Sequence, residues 1–267
     1  MPAMIDLHCH ILPGMDDGPE TLDEAMAMCR AATVDGIETI VAAPHYKPGT
    51  YEFTGQEMLA ALNMLSGEIA KQGLNLRILP GAEVTVSPEM QGSVLPGGCL
   101  TINKSRYFLA EFRPLSVPAR WDIFLISFLN TGMTPIIAHP ERNEWFIRHP
   151  EALAAAVRCG ILIQITAMSL IGGFGPEAQD FSIYLLRKNL VHVIASDGHS
   201  ADQRPPQLAD AVALAADVVG RERAEALVTT IPQAVINNLP IPALEPIEYH
   251  PQVWMRPRSW LQRLCLR

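Results

Sequence analysis

What most constrains the fold of this chain is a repeated order: a short apolar run rich in β-branched residues, followed by a stretch with helical patterning. Seven runs read as buried strands: AMIDLH (3–8), IETIVAAPH (37–45), NLRILPGAEV (75–84), RYFLAEF (106–112), MTPIIAHP (133–140), GILIQIT (160–166) and LVHVIASDGH (190–199). Between them lie helix candidates such as TLDEAMAMCRAATVDG, in which Thr21 and Glu24 form a capping-box pair and Gly36 sits in the C-cap position. Others are GQEMLAALNMLSGEIAKQG, RWDIFLISFLNTG, HPEALAAAVRCG, EAQDFSIYLLRKN and PPQLADAVALAADVVG. Repeated strand-then-helix order predicts an α/β fold with a largely parallel sheet, and seven strands predict a barrel. With 267 residues, 49% of them hydrophobic, the chain has enough apolar surface for one barrel-sized domain.

The ionisable residues fall at strand ends. Asp6, His8 and His10 end the first run, His45 the second, Glu83 the third, Glu111 the fourth, His139 the fifth, and Asp197 with His199 the last. In a parallel α/β architecture those ends face one rim, so residues far apart in sequence converge on one site. His8 and His10 are two apart, which on a strand turns both to the same face, and Asp6 shares that parity. Imidazoles mixed with carboxylates suit Mn, Fe or Zn better than a thiolate zinc site or an all-oxygen calcium site. A lone histidine is more often structural than a ligand, and His149, His192 and His250 are read that way. Asp35, Glu38 and most helix acids read as solvated surface, and Cys9, of opposite parity to its histidine neighbours, as a buried structural thiol.

A formal net charge of -8 argues against general nucleic-acid affinity. The five cysteines are scattered singly, without a C-x-x-C pair, as in a reducing compartment. No run reaches bilayer length and MPAMIDLHCH lacks a signal-like basic region, so the expected setting is the cytoplasm. From about residue 240 the pattern changes to LPIPALEPIEYHPQVWMRPRSWLQRLCLR, proline-rich and then basic. The expected organisation is one domain over 1–240 and a tail over 241–267 laid on its surface, with Pro257 limiting any amphipathic helix there.

The string DLHCHILPGMDDG, followed in order by APHY, GAE, AEF, AHPER and ASDGHS, resembles the PHP (polymerase and histidinol phosphatase) superfamily. Within it, DDG after the second histidine, HPER and SDGHSADQRPP are similar to the bacterial metal-dependent protein-tyrosine phosphatases of capsule and exopolysaccharide biosynthesis, of the CpsB/CapC kind. The resemblance spans about residues 4 to 238. It implies a distorted (β/α)7 TIM-like barrel, the PHP fold, with three divalent metal ions at the C-terminal rim, manganese foremost and iron or zinc also compatible. Carried over by motif, it implies His8, His10, Glu83 and Asp197 around one ion, and Glu83 bridging to a second held by Glu111 and His139. Asp17, His45 and His199 would hold the third. The choice of Asp17 over Asp16 rests on the resemblance alone. It further implies that Asp6 orients a histidine ligand by accepting its ring N–H, and that Arg142 and Arg204 bind phosphate. From the residues alone, a salt bridge of Arg142 to Glu144 and a surface position for Arg204 at a helix start are equally open.

The reaction implied is hydrolysis of a phosphate monoester by a metal-activated hydroxide, on a phosphotyrosine protein such as a bacterial tyrosine kinase of polysaccharide synthesis. A cysteine-based tyrosine phosphatase needs an arginine six residues after its nucleophile. The residues six beyond the first four cysteines are Met15, Asp35, Ser105 and Ile165, and Cys265 lies too near the end. The alternatives are a PHP-family phosphatase for a small metabolite such as histidinol phosphate, and an amidohydrolase-type metal hydrolase. The latter usually needs a metal-bridging lysine on a strand end, which no predicted strand supplies.

Overall fold

The computed structural model of the protein describes residues 3–113 and 115–247. The strands are β1 (Met4–Cys9), β2 (Ile37–Ala42), β3 (His45–Tyr46), β4 (Arg77–Pro80), β5 (Glu83–Thr85), β6 (Tyr107–Glu111), β7 (Thr134–Ile137), β8 (Leu162–Thr166) and β9 (Val193–Ala195). All seven expected runs form strands, but the second and third are each broken in two. Pro44 has no N–H to give to a ladder, so the second run stops at Ala42 and resumes at His45. The carbonyl of Pro44 accepts instead from Glu83 N at 3.0 Å.

The breaks shift the strands from one hydrogen-bonded set to another. A three-stranded sheet runs β1-β2-β4, and a six-stranded sheet continues β3-β5-β6-β7-β8-β9, with parallel pairing throughout. The ring closes where the first strand meets the last, through a parallel bridge between Cys9 and Gly198. His10 N donates to Gly198 O and Asp197 N donates to His8 O, each at 2.8 Å. The result is the expected distorted (β/α)7 barrel, sealed at the rim by the segments that carry the site.

Two apolar clusters follow from the strand alternation. Ile5, Leu7, Val41, Leu109, Ile136, Leu162 and Val193 belong to the smaller one, which fills the barrel. Met4, Ile40, Phe108, Ile137, Ile163 and Ile194 belong to the larger one, between strands and helices. The register of β1 against β2 slips between Asp6 and Cys9, an irregularity that breaks strict alternation. Leu7 and His8 therefore both serve the interior, Leu7 in the apolar floor and His8 in the polar rim above it. Asp6 is re-aimed towards β9, contrary to the parity expectation.

The helices largely follow the pattern. Leu22–Asp35 has the Thr21–Glu24 capping box, and Gly36 closes it at φ 92°. Gly55–Lys71, Trp121–Leu129, Pro150–Arg158, Pro176–Arg187 and Ala209–Val219 fill the other expected positions; Arg221–Ala226, Thr230–Ile236 and the short turns Met90–Ser93, Glu144–Arg148 and Ala167–Leu170 are helices that the patterning did not indicate. Asp35 is no mere solvated acid. Its Oδ2 accepts from Leu208 N and Ala209 N at 2.6 and 3.1 Å, capping the start of a helix far away in sequence. The first residues of the tail lie on the domain: Ile247 N donates to Lys188 O, and Asn189 Nδ2 to Glu245 O. Residues 248–267, with His250, Trp254, Trp260 and the basic end, lie outside the described residues.

Candidate metal centre

The strand ends deliver their side chains to one volume. The ligand atoms of His10, Asp17, His45 and His199 lie within 4.8 Å of one another, as do those of three further groups: His8, His10 and Asp197; His8, Glu83 and His139; His45, Glu83 and Glu111. All nine acids and histidines singled out as ligands are in this cage. The β3–β5 register sets His45 beside Glu83, and the β5–β6 register sets Thr85 beside Glu111. His139, Asp197 and His199 follow the ends of β7 and β9, and His139 and Asp197 take left-handed backbone at φ 30° and 52°. Side chains other than glycine rarely adopt that conformation, and its cost here is repaid by aim into the cage.

Glu83 is the hub. Its Oε1 lies 2.6 Å from His139 Nε2, while its Oε2 is 3.0 Å from His45 Nδ1 and 3.5 Å from the Nε2 atoms of both His8 and His10. Glu83 Oε2 and His45 Nδ1 are buried and have no hydrogen-bond partner. Asp17, half exposed, lies with Oδ1 3.4 Å from the Nε2 of both His45 and His199.

The outer hydrogen bonds fix which ring nitrogens face inward. His199 Nδ1 is 2.9 Å from the Asp197 carbonyl, which can only accept, so the proton sits on Nδ1 and Nε2 carries the lone pair. His10 Nδ1 donates in the same way to Asp16 Oδ2 at 2.5 Å, and His8 Nδ1 meets Gln164 Oε1 at 3.0 Å. The Nε2 atoms of His8 and His10 then face each other at 3.1 Å. That is close to the ~3 Å separation of two adjacent nitrogen ligands on one ion with bonds of ~2.1 Å. Opposed lone pairs and an orphaned buried carboxylate oxygen are what a cation between them resolves, so the donor set fits divalent metal.

These contacts correct one expectation. Asp6 accepts no histidine ring proton; it accepts from His8 N, Ser196 N and Ser196 Oγ. Burial pushes its carboxyl up to about 6, against those hydrogen bonds. The ring protons go instead to Asp16 and Gln164, two residues the ligand set did not include. Gln164 carried a signal in the sequence, a polar residue at an inward position of GILIQIT. Asp16 also accepts from Gly18 N at 3.0 Å and His45 N at 2.8 Å, which ties the DDG loop to β3.

The electrostatics suit ligation. Burial works to raise the Asp197 carboxyl, but His8, His139, Arg142 and Arg204 hold it well below its ordinary value. Glu83 is likewise held down, against burial, by His8, His139 and His10. Asp17 is held well below its ordinary value chiefly by the neighbouring imidazole of His199. Glu111 moves the other way, raised by burial and by the charge of Glu83, and its Oε2 accepts from Thr85 Oγ1 at 3.2 Å. Burial works to lower His10, yet Asp16 and Glu83 carry it well above its ordinary value. Metal and protons therefore compete for the same cage.

Two arginines stand at its edge. Arg142 Nη1 and Arg204 Nη2 both donate to Asp197 Oδ2, the latter at 2.7 Å, while Asp197 Oδ1 faces the histidines. Arg142 thus pairs with the cage rather than with Glu144, whose partner is Arg148. Arg204 precedes the helix at Ala209–Val219 and is folded back on the cage. Cys9 is buried, its Sγ 3.5 Å from Gly198 O. His149 stacks on Trp145, and buried His192 accepts from Ile163 N, both structural as expected. From the rim a groove of about 580 Å³ runs along Asp17, Glu20, Glu24, His199, Asp202 and Arg204.

The chain has known relatives. The chain is 37% identical over 201 residues to the tyrosine-protein phosphatase YwqE of Bacillus subtilis (strain 168), covering 75% of this chain and 79% of that one. It is 31% identical over 243 residues to the tyrosine-protein phosphatase CpsB of Streptococcus agalactiae serotype V, covering 88% of this chain and 99% of that one. It superposes with a TM-score of 0.86 and 33% identity on a crystal structure from work on YwqE of Bacillus subtilis and CpsB of Streptococcus pneumoniae, described as unique metal-dependent tyrosine phosphatases. That match covers 92% of this chain and all of the other, 100%. The sequence profile of the capsular polysaccharide synthesis family CpsB/CapC matches residues 4–237, and with relatives of this similarity over most of its length the chain belongs to that family.

Proposed function

We propose that the protein is a metal-dependent phosphotyrosine-protein phosphatase of capsule or exopolysaccharide synthesis, acting on a tyrosine kinase of that pathway. The observation that carries the reading is the pair of guanidinium groups converging beside a cage of histidines and carboxylates. Cation ligands next to forked donors match a phosphoryl group, whose transition state spreads negative charge over its equatorial oxygens. The activity of the relatives supports the same class.

His8, His10, Glu83, Asp197, Glu111, His139, Asp17, His45 and His199 would hold three divalent ions, manganese foremost. When bound, such ions supply a water ionised near neutral pH and positive charge for the phosphoryl oxygens. Arg142 and Arg204 bind and orient the phosphate. Asp16 and Gln164 hold His10 and His8 in the tautomers that present Nε2. The leaving phenolate is stable enough to depart with little proton assistance. Among the described residues no helix is long and apolar enough to cross a membrane, and the four described cysteines are unpaired, which supports a cytoplasmic setting.

The test is turnover of a phosphotyrosine peptide by the purified chain with Mn²⁺ and after EDTA, beside H8A and H199A. Turnover is expected only with metal and to vanish in both variants; activity that survives complete metal removal overturns the reading.

A further inference from the structure

We propose that Phe174 is a positioning residue whose ring holds Arg142 and Arg204 in the pose that grips a phosphoryl group; the inference rests on the phosphatase reading above. The centre of the Phe174 ring lies 4.4 Å from Arg142 Cζ and 5.5 Å from Arg204 Cζ, both within cation–π range. One aromatic ring therefore serves two guanidinium groups, and both groups also reach the same oxygen of Asp197.

Topology explains how one ring meets both. Arg142 follows β7, Arg204 follows β9, and Phe174 belongs to the loop after β8, the strand between them in the sheet. That loop, IGGFG over 171–175, is folded back tightly on the turn Ala167–Leu170. Gly173 N donates to Met168 O at 2.8 Å, Gly172 N to Ser169 O at 3.1 Å, and Gly175 N to Gly172 O at 3.0 Å. Gly172 and Gly175 sit at φ 90° and 91°, and a Cβ on Gly173 would lie 2.5 Å from Met168 Cγ. The backbone is thus committed to glycine on both sides of Phe174, and only Phe174 projects a side chain from the GGFG stretch.

Two like-charged side chains directed at one carboxylate oxygen repel each other, and each has several rotamers to lose when it binds an anion. The negative face of the ring offsets the repulsion, and its contact restricts the rotamers before the anion arrives. Preorganisation of this kind lowers the cost of binding rather than adding a contact to the ligand.

The experiment compares F174L, F174M and F174Y with the parent chain, all loaded with Mn²⁺. Calorimetry reads the affinity for inorganic phosphate, kinetics read KM and kcat for a phosphotyrosine peptide, and mass spectrometry reads bound metal. F174L and F174M are expected to weaken phosphate binding by about 3-fold to 30-fold, in line with one or two lost cation–π contacts. KM should rise by a similar factor, with a smaller change in kcat and unchanged metal content, and F174Y should restore phosphate affinity. Parental phosphate affinity in a non-aromatic variant that keeps its metal overturns the inference. So does a rise in KM for the peptide without weaker phosphate binding, which would place the ring against the substrate's own aromatic group. The two non-aromatic variants guard against misfolding of one. Because phosphate binding is read without turnover, an inactive parent chain would sink the phosphatase reading and leave this comparison decisive for Phe174.

Discussion

His8 Nε2 and His10 Nε2 face each other across 3.1 Å, each ring anchored from behind by an acceptor on its Nδ1. Lone pairs so placed are compatible only when something positive lies between them, a cation or a proton. With metal withdrawn, protons take over: burial disfavours the charged form of His8, but Glu83 and Asp197 raise its affinity for a proton overall.

Metal removal should therefore destabilise the fold as well as silence it. A cation at 100 times its dissociation constant contributes about 2.7 kcal/mol, which in a chain of this size corresponds to a fall in thermal midpoint of roughly 5–10 °C on adding EDTA. Scanning calorimetry with and without EDTA measures it. An unchanged midpoint would mean that the cage is not an ion site.

Asp16→Asn keeps an oxygen for His10 Nδ1 but removes the charge that makes the ring a strong donor to metal. Loss of such an outer carboxylate should weaken metal affinity by about 10-fold to 100-fold. Competition with a fluorescent chelator reads the change, and an unaltered affinity would show that Asp16 only shapes the DDG loop.

Arg142→Ala and Arg204→Ala should each lower kcat/KM by about 10-fold to 100-fold, the range for one lost charge-assisted hydrogen bond to phosphate. Both side chains share Asp197 Oδ2, so the double variant should depart from the product of the singles. Steady-state kinetics on the three proteins decide it; strict additivity would argue that the arginines act independently.

His192 predicts a pH dependence away from the cage. Burial and the nearby charge of Arg223 push it down from 6.5 to about 3, so it stays neutral in the fold. Below 6.5 the unfolded chain takes up a proton that the folded chain refuses, and stability from this group is lost as pH falls. The loss at pH 5 is about 2 kcal/mol. His192→Asn retains an acceptor for Ile163 N, and its urea unfolding free energy should drop between pH 7 and pH 5 by about 2 kcal/mol less than that of the parent chain. Equal drops would contradict the assignment.

Much of this site was legible because ionisable residues interrupt apolar runs. His45, Glu83 and Glu111 stand out where valine and isoleucine would otherwise continue, and in a parallel barrel a strand's end is also a place. The Thr21–Glu24 box and Gly36 marked their helix for an equally local reason. Other features were not local. The slip in β1 that re-aims Asp6 depends on what β2 offers opposite it, and a parity count along one strand is blind to that. Asp35 caps a helix that starts at Ala209, and no pattern within its own helix announces this. The helix Thr230–Ile236 carries Pro232 in its first turn, where proline is tolerated although it breaks a helix interior.

Closure of the barrel through Cys9 and Gly198 has a consequence for biosynthesis. The segment made earlier, with His8 and His10, lacks its closing partners until the ribosome has delivered Asp197 and His199, nearly two hundred residues later. A nascent or truncated chain that ends before that point holds a partial set of donors and an unsealed ring, so completion of the cage reports that translation has passed the last strand.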